Sequence, residues 1–284
     1  MSDNLLLMLR ALVAVMVMAI GMGSTPADLV ELLRRPKLLI RSVVAMYLLV
    51  PLLALVLMAV LPVSIAEEVA LLVIAISAGA PLLPKKLMGL DNEAYVFSLV
   101  VTSSLLAVVT VPAWLAVLKA AFGGAAVLSS GDVARVVAST VLVPHLLGMV
   151  LRWLVPFVND RLSDLVLRAA GVVLTLLGVV LLGMHWRFLI EAGWSFLLAL
   201  GLLITGALAI GHWLGGPEDD DRTALAVACA TRHLGIAVLV AASLPGPRVM
   251  VLVVAYLVVS AVVSVPYLSY RRRRSSRRLE RAAA

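Results

Sequence analysis

Charged residues are scarce in this sequence. Only 14% of the 284 residues are charged and 63% are hydrophobic, whereas an ordinary soluble domain has about 25% charged residues. The mean hydropathy is +1.12. A soluble globule needs more polar surface than this, and disordered, collagenous and coiled-coil chains have other compositions. We therefore expect an all-α, polytopic integral membrane protein.

Cysteine is almost absent, and catalytic motifs are missing. The single cysteine, Cys229, excludes an internal disulfide, and no Cys/His spacing typical of a metal site occurs. The sequence has no HExxH motif, no Gly-rich phosphate loop and no paired intramembrane carboxylates. We expect that the protein is not an enzyme, that it has no metal site and that it needs no cofactor.

Positive charge is concentrated at one end of the chain. Residues 271–284 contain seven Arg and one Glu, which supply +6 of the net charge of +7. The remaining sequence is nearly neutral, so its basic balance does not indicate a nucleic-acid partner. We treat residues 271–284 as a basic cytoplasmic tail.

Nine segments are apolar enough, and long enough or nearly so, to span a membrane as helices. We label them A to I, and they are 5–23, 38–61, 68–90, 93–119, 133–158, 163–185, 189–213, 221–243 and 248–270. Turn-forming residues separate them, and no soluble domain is inserted between them. Residues 1–284 are therefore expected to form one transmembrane domain.

The distribution of Lys and Arg in the short loops predicts the orientation. Basic residues follow segments A, E and I, whereas the loops after B and D carry almost none. The C-terminus is therefore expected in the cytoplasm and the N-terminus outside, in a cell membrane such as a bacterial inner membrane. The acidic G–H loop, Glu218-Asp219-Asp220-Asp221, does not fit, but acidic residues contribute little to this rule.

Segments C and H are interrupted by polar residues. Segment C continues as Ser77-Ala78-Gly79-Ala80-Pro81-Leu82-Leu83-Pro84-Lys85-Lys86, and segment H contains Thr231-Arg232-His233-Leu234-Gly235. Discontinuous helices are expected here, because proline removes a backbone donor and charge interrupts the apolar run. The expected break residues are Gly79, Pro81, Pro84 and Gly235. C and H lie five segments apart, which predicts an inverted repeat with a binding site at its two breaks.

The charged residues at these breaks are the candidate substrate-binding residues. A charge at the bilayer centre costs at least about 2.5–3.5 kcal/mol, and Arg232 lies about eleven residues into segment H. A guanidinium beside the N-terminus of a half-helix can bind a carboxylate through two hydrogen bonds. We therefore single out Arg232, with His233 beside it and Lys85 or Lys86 from the other break, as a site for an organic anion.

Each candidate has a purely structural alternative. Arg232 could pair with the carbonyls of a broken helix, His233 could be a packing residue, and the two lysines could mark a cytoplasmic helix end. Ser98 and Thr102 share one face of segment D, and with Ser77 they are candidate ion-binding hydroxyls. Hydroxyls in buried helices, however, commonly bond the carbonyl four residues before them.

Four stretches are similar to one family of transporters. They are Gly21-Met22-Gly23, the basic Arg34-Arg35-Pro36-Lys37, Val141-Leu142-Val143-Pro144 with Leu147-Gly148-Met149 and Arg152, and Arg232-His233-Leu234-Gly235-Ile236-Ala237. On these residues the chain resembles the bile acid:sodium symporter superfamily over nearly its whole length. The nine segments are similar to the nine-helix form of that family.

The resemblance implies an architecture of two parts. A panel would comprise 5–23 and 133–185, and a core would comprise 38–119 and 189–270, with discontinuous helices crossing at segments C and H. Transport in this family proceeds by alternating access of the core against the panel.

The crossover motifs depart from the family pattern. At the positions of the Ser and Asn sodium ligands this chain has Leu83 and Pro84, and at those of Glu and Gln it has Ala228 and Arg232. A carboxylate is thus lost and a cation gained, and two positive charges repel in so small a volume. These departures disfavour bound sodium.

Three functions stay open on the sequence. The first is a sodium-independent secondary transporter of small organic anions, with His233 available for proton coupling. The second is a sodium-coupled symporter of bile acid-like anions that uses backbone carbonyls and the hydroxyls of segment D. The third is a non-transporting sensor or scaffold whose tail binds anionic lipid or a partner. The expected partners are a small organic anion and membrane lipid, and a homodimer is left open.

Overall fold

The structure is a computed structural model that describes residues 3–24, 32–79, 93–122, 135, 138–155, 157, 160–242, 244 and 247–283. In these residues all regular secondary structure is helical. The helices are α1 (Asp3–Gly23), α2 (Pro36–Val60), α3 (Ile65–Ile76), α4 (Glu93–Phe122), α5 (Ala138–Leu154), α6 (Asp160–Met184), α7 (Trp186–Leu214), α8 (Asp219–Ala230), α9 (Leu234–Ala242) and α10 (Arg248–Ala283).

Six helical stretches within the described residues are long and apolar enough to cross a membrane. They are Pro36–Val60, Ser98–Val117, Arg161–Met184, Ile190–Leu214, Asp219–Ala242 and Arg248–Arg274. The polytopic membrane class is therefore confirmed. The apolar parts of segments A and E are shorter helices, Arg10–Gly23 and Ala138–Leu154, so the count of nine spans stays a prediction.

Helix α3 has a well-defined start and an early end. Ser64 and Glu67 form a capping box, in which the Ser64 N–H donates to Glu67 Oε2 at 2.6 Å. The helix then stops at Ile76, and residues 77–79 are not helical. The remainder of segment C, with the predicted break residues Pro81 and Pro84, lies outside the described residues.

Helix α1 packs against α5 and α6 with its backbone close to theirs. A Cβ on Gly21 would collide with the carbonyl oxygen of His145, and one on Gly148 would collide with that of Met18. The Ser163 hydroxyl of α6 also donates to the carbonyl of Ala19, at 2.6 Å. Small residues allow such contact between membrane helices. Helix α1 thus contacts both of the other elements that the resemblance assigns to a panel.

Helices α7 and α8 make a second close contact. A Cβ on Gly211 would lie 2.5 Å from the Cα of Ala226, and one on Gly215 would collide with the backbone of Arg222. The two glycines are four residues apart and therefore share one helix face. The most apolar stretch of Asp219–Ala242 is wholly buried, so α8 is held deep inside the molecule.

The acidic G–H loop lies on the same face of the molecule as two basic segments. Asp221 pairs with Arg35 at 3.4 Å, and Asp219 pairs with Arg271 at 3.6 Å and with Arg274 at 3.9 Å. The acidic charge of this loop, which did not fit the distribution of Lys and Arg, is therefore neutralised by arginines of two segments that did fit it. The assignment of this face to the cytoplasm stays a prediction.

Candidate functional site

The end of α3 in segment C touches the break in segment H. Helix α8 ends at Ala230 and α9 begins at Leu234, with three non-helical residues between them. The His233 N–H donates to the carbonyl of Ser77, just after α3, at 2.9 Å. Gly79 has φ +121°, a conformation that strongly favours glycine, and a Cβ there would lie 3.5 Å from the His233 ring. Residues 77–79 after α3 and the break between α8 and α9 therefore form one junction.

Tyr256 of α10 holds the two ends of the break between α8 and α9. Its hydroxyl accepts the N–H of Arg232 at 2.7 Å and donates to the carbonyl of Ala230. An interrupted helix leaves such backbone groups without intrahelical partners. The tyrosine thus satisfies one donor and one acceptor that would otherwise be buried and unpaired.

We expect Tyr256→Phe to destabilise the protein. The substitution keeps the ring but leaves two buried backbone groups without a partner, at about 1–3 kcal/mol each. The midpoint of thermal unfolding in detergent should fall by several degrees. Tyr270→Phe, on the exposed side of the same helix, is the control and should leave the midpoint unchanged. Equal midpoints for the two variants would contradict this role.

The guanidinium of Arg232 is buried and only partly satisfied. The residue is 4% exposed, its Nη1 donates to the carbonyl of Met46 at 3.3 Å, and its Nη2 has no hydrogen-bond partner among the described residues. No carboxylate within the described part of the chain forms an ion pair with it. A buried charge without a counterion is costly, which favours a function for this residue.

The Met46 carbonyl is available because α2 is irregular at this point. Residues Ala45–Leu49 form a π-helical turn, and the Val50 N–H donates to the carbonyl of Ala45. Pro51 follows and has no N–H to donate. The carbonyls of Met46 and Tyr47 therefore lose the partners that a regular helix would supply. Such π-turns are frequent at functional sites.

Side chains from other helices replace both missing hydrogen-bond donors. Arg232 donates to the Met46 carbonyl, and the Trp114 indole N–H of α4 donates to the Tyr47 carbonyl at 2.7 Å. One arm of the guanidinium therefore has the structural role that the sequence left open, whereas Nη2 has no partner among the described residues.

A cavity of about 440 Å³ borders Arg232. It lies between α1 and α6 on one side and α10 with the break on the other, and its apolar wall includes Met16 and Leu174. Among the polar residues that α10 contributes, Tyr256, Ser260 and Ser264 recur every four positions and so share one helix face. Ser269 and Arg272 line the cavity further along the same helix. An apolar cavity of this size with a few polar groups is typical of small-molecule sites.

Comparison with known proteins gives the family. The profile of the Sodium Bile acid symporter family matches residues 10–192, well over half of the chain. The chain belongs to this family. The resemblance inferred from the sequence is thereby confirmed. No curated protein matches the chain in a sequence search.

Members of the sodium bile acid symporter family are membrane transporters, and the fold described above agrees with that class. The matched residues run from α1 into the start of α7 and include the junction residues Ser77 and Gly79. They end before α8, so Arg232 and the α10 wall of the cavity lie beyond the match.

His233 lies at the junction but is not among the residues that line the cavity. It is fully buried, and its Nδ1 accepts the N–H of Ile236 at 3.3 Å, which assigns the ring proton to Nε2. This bond fixes the first turn of α9. Gly235 follows at a tight contact, where a Cβ would lie 2.8 Å from the Val13 side chain of α1. Lys85 and Lys86 lie outside the described residues.

The hydroxyls singled out for ion binding are placed differently from one another. Ser77 donates to the Val73 carbonyl at 2.6 Å, Ser98 is fully buried and Thr102 is half-buried. The α4 residue that approaches the junction is Ser103, whose Oγ lies 3.6 Å from the Cβ position of Gly79. Within the described residues no group of three or more His, Cys, Asp or Glu side chains is placed to hold a metal ion.

Sequence reasoning missed Tyr256, Met46 and Ser264. The spacing of four between Tyr256, Ser260 and Ser264 was a visible signal for a polar face on segment I. The role of Met46 had no such signal, because its backbone carbonyl rather than its side chain makes the contact.

Proposed function

We propose that the protein is a carrier of small organic anions that works by alternating access without sodium. The observation that supports this most directly is Arg232, a buried residue of the cavity lining whose Nη2 has no hydrogen-bond partner and whose charge has no acidic partner in the described chain. An anion bound in the cavity would supply the missing charge.

The energetics favour an anionic ligand. Charge-assisted hydrogen bonds from a guanidinium to a carboxylate or sulfonate are about twice as strong as neutral ones. Because the surroundings are apolar, the attraction is screened less than it is in water. A second cation beside Arg232 would instead be repelled. The permanent charge of Arg232 thus takes the part that a bound sodium ion plays in a symporter.

The position of the cavity supports transport rather than binding alone. One wall comes from α1 and α6, which the resemblance assigns to the panel, and the other comes from the break and α10, which it assigns to the core. A relative movement of these two sets of helices would change access to a ligand held between them. Ligands of carriers with inverted repeats bind at such boundaries.

We expect carboxylates or sulfonates to stabilise the purified protein in choline buffer as well as in sodium buffer of equal ionic strength. A ligand at a hundred times its Kd adds about 2.7 kcal/mol to the free energy of unfolding, which a thermal melt detects. Neutral amide analogues of the same acids are the control and should have no effect.

Two outcomes would contradict the proposal. Stabilisation that requires sodium would favour the sodium-coupled symporter, in which backbone carbonyls and hydroxyls coordinate the ion. Binding without sodium, but with no uptake of the same labelled anion into proteoliposomes, would favour a sensor.

A further inference from the structure

The cavity reaches from the break to the end of the span that α10 forms. Its lining includes Tyr256, which is 3% exposed, and Arg272, which is exposed. The two residues are about 24 Å apart along the helix, at 1.5 Å per residue. Ser269 also lines the cavity and is also exposed. One end of the cavity therefore lies among buried residues, whereas the other end is accessible.

The accessible end lies where α10 leaves the membrane. The candidate span of α10 is Arg248–Arg274, and residues 271–274 are all arginine. Arginine is strongly disfavoured in the hydrocarbon core, and a run of arginines marks the polar interface. Since Arg272 belongs to both this run and the lining, the cavity opens to water rather than to lipid at this end.

Arg272 differs from its neighbours in what it faces. It continues an apolar face of α10 that lines the cavity, with the three- and four-residue spacing of one helix side. The other members of this face are Leu257, Ala261, Val265 and Leu268. Arg271 and Arg274 are outside the lining, and they pair with Asp219 of α8 at 3.6 Å and 3.9 Å. The apolar face thus ends in a positive charge at the opening.

We propose that Arg272 is an anion-capture residue at a water-filled mouth of the cavity. A fixed positive charge at the entrance of a cleft with apolar walls raises the local concentration of anions, lowers that of cations and speeds the association of anions. Small anions are therefore selected before they reach Arg232. The purpose of this charge rests on the proposed function, but its effect on small ions can be measured without any transported substrate.

The test measures how fast charged thiol reagents reach the mouth. Leu268 lies one helical turn before Arg272, and Leu268→Cys in a Cys229→Ala background gives a protein with a single thiol. The purified protein is treated with sulfonatoethyl methanethiosulfonate, an anion, and with trimethylammonioethyl methanethiosulfonate, a cation. The ratio of the two rate constants is divided by that of free mercaptoethanol. It reports the local potential, because the intrinsic reactivity of the thiol cancels.

The anionic reagent should be favoured at low ionic strength. Arg272→Gln should lower the ratio about three- to tenfold, which is the effect in water of one unit charge about one helical turn away. The difference should nearly vanish at about 1 M salt, where charges are screened beyond about 3 Å.

Two matched variants are the controls. Arg273→Gln removes an equal charge from an exposed residue outside the lining, on another side of the helix from Leu268. It should change the ratio far less than Arg272→Gln does. Val262→Cys in the same background places the thiol on a residue that is 67% exposed but outside the lining. Because detergent covers this apolar surface, neither reagent should react with it.

Any of three results would overturn the inference. They are a thiol in Leu268→Cys as unreactive as that in Val262→Cys, a ratio that Arg272→Gln leaves unchanged, and an equal fall of the ratio in Arg273→Gln. The proposed function fails separately, if no carboxylate or sulfonate stabilises the protein, so the two failures are distinguishable.

Discussion

Arg232→Ala is expected to weaken the binding of organic anions by roughly thirtyfold to several thousandfold, the effect of about 2–5 kcal/mol for a buried charge pair. The variant removes the cation at the break between α8 and α9, a residue of the cavity lining. Arg232→Lys should retain part of the affinity, because lysine keeps the charge but cannot form the two-pronged hydrogen bond. Thermal shift with a carboxylate that stabilises the wild type measures all three affinities.

Arg152→Ala is the control for the structural part of this effect. Arg152 also donates from Nη1 to a backbone carbonyl, that of Met22, at 2.8 Å, but it does not line the cavity. Its loss should lower stability and leave anion affinity unchanged. If Arg232→Ala and Arg232→Lys both bound and transported anions like the wild type, the fixed-cation site would be wrong.

Gly211→Val is expected to cause the largest loss of stability. The new Cβ would lie 2.5 Å from the Cα of Ala226, which is backbone and cannot move without displacing α8. Overpacking of this kind costs about 1–3 kcal/mol even where side chains can adjust, and here α8 carries the break next to Arg232. We expect little monodisperse protein on size exclusion in detergent, and no anion stabilisation of what remains.

Gly201→Val on the same helix separates packing from helix propensity. A Cβ on Gly201 meets nothing within 4 Å, so this variant makes the same change of residue without the collision. Its yield and melting temperature should stay close to those of the wild type. Similar yields and melting temperatures of the two variants would contradict the close contact between α7 and α8.

Much of the helical layout could be predicted because the membrane imposes it. Apolar length alone predicted segment G at 189–213, and α7 spans Trp186–Leu214 with a kink at Gly193. The interruption near Arg232 was predictable for a related reason. A charge and a glycine are both unfavourable inside a continuous apolar helix, so their presence in segment H indicated a break. The acidic G–H loop was the misfit, and Arg35 and Arg271 account for it through contacts between distant residues.

The internal arrangement of the site depends on contacts that no local pattern encodes. Because proline has no N–H, Pro51 indicates that a carbonyl in α2 lacks its helical donor. The sequence does not indicate that Arg232 donates to a carbonyl of this irregular turn instead. In the sequence, Tyr256 is one more aromatic residue of the apolar segment I. Its role follows only from the structure, where its hydroxyl bonds both ends of the break.

Among the described residues Arg232 has no acidic partner, and under the proposed function this affects the work done by the membrane potential. In the proposed carrier, a monovalent anion on Arg232 cancels the charge of that residue, whereas in the empty state no described carboxylate pairs with it. The potential therefore acts on the return of the empty site, with up to about 2.3 kcal/mol per 100 mV if that charge crosses the whole field. A negative interior draws the empty site inward. If no sodium ion accompanies the anion, as we propose, the electrical force on each complete cycle is directed toward export.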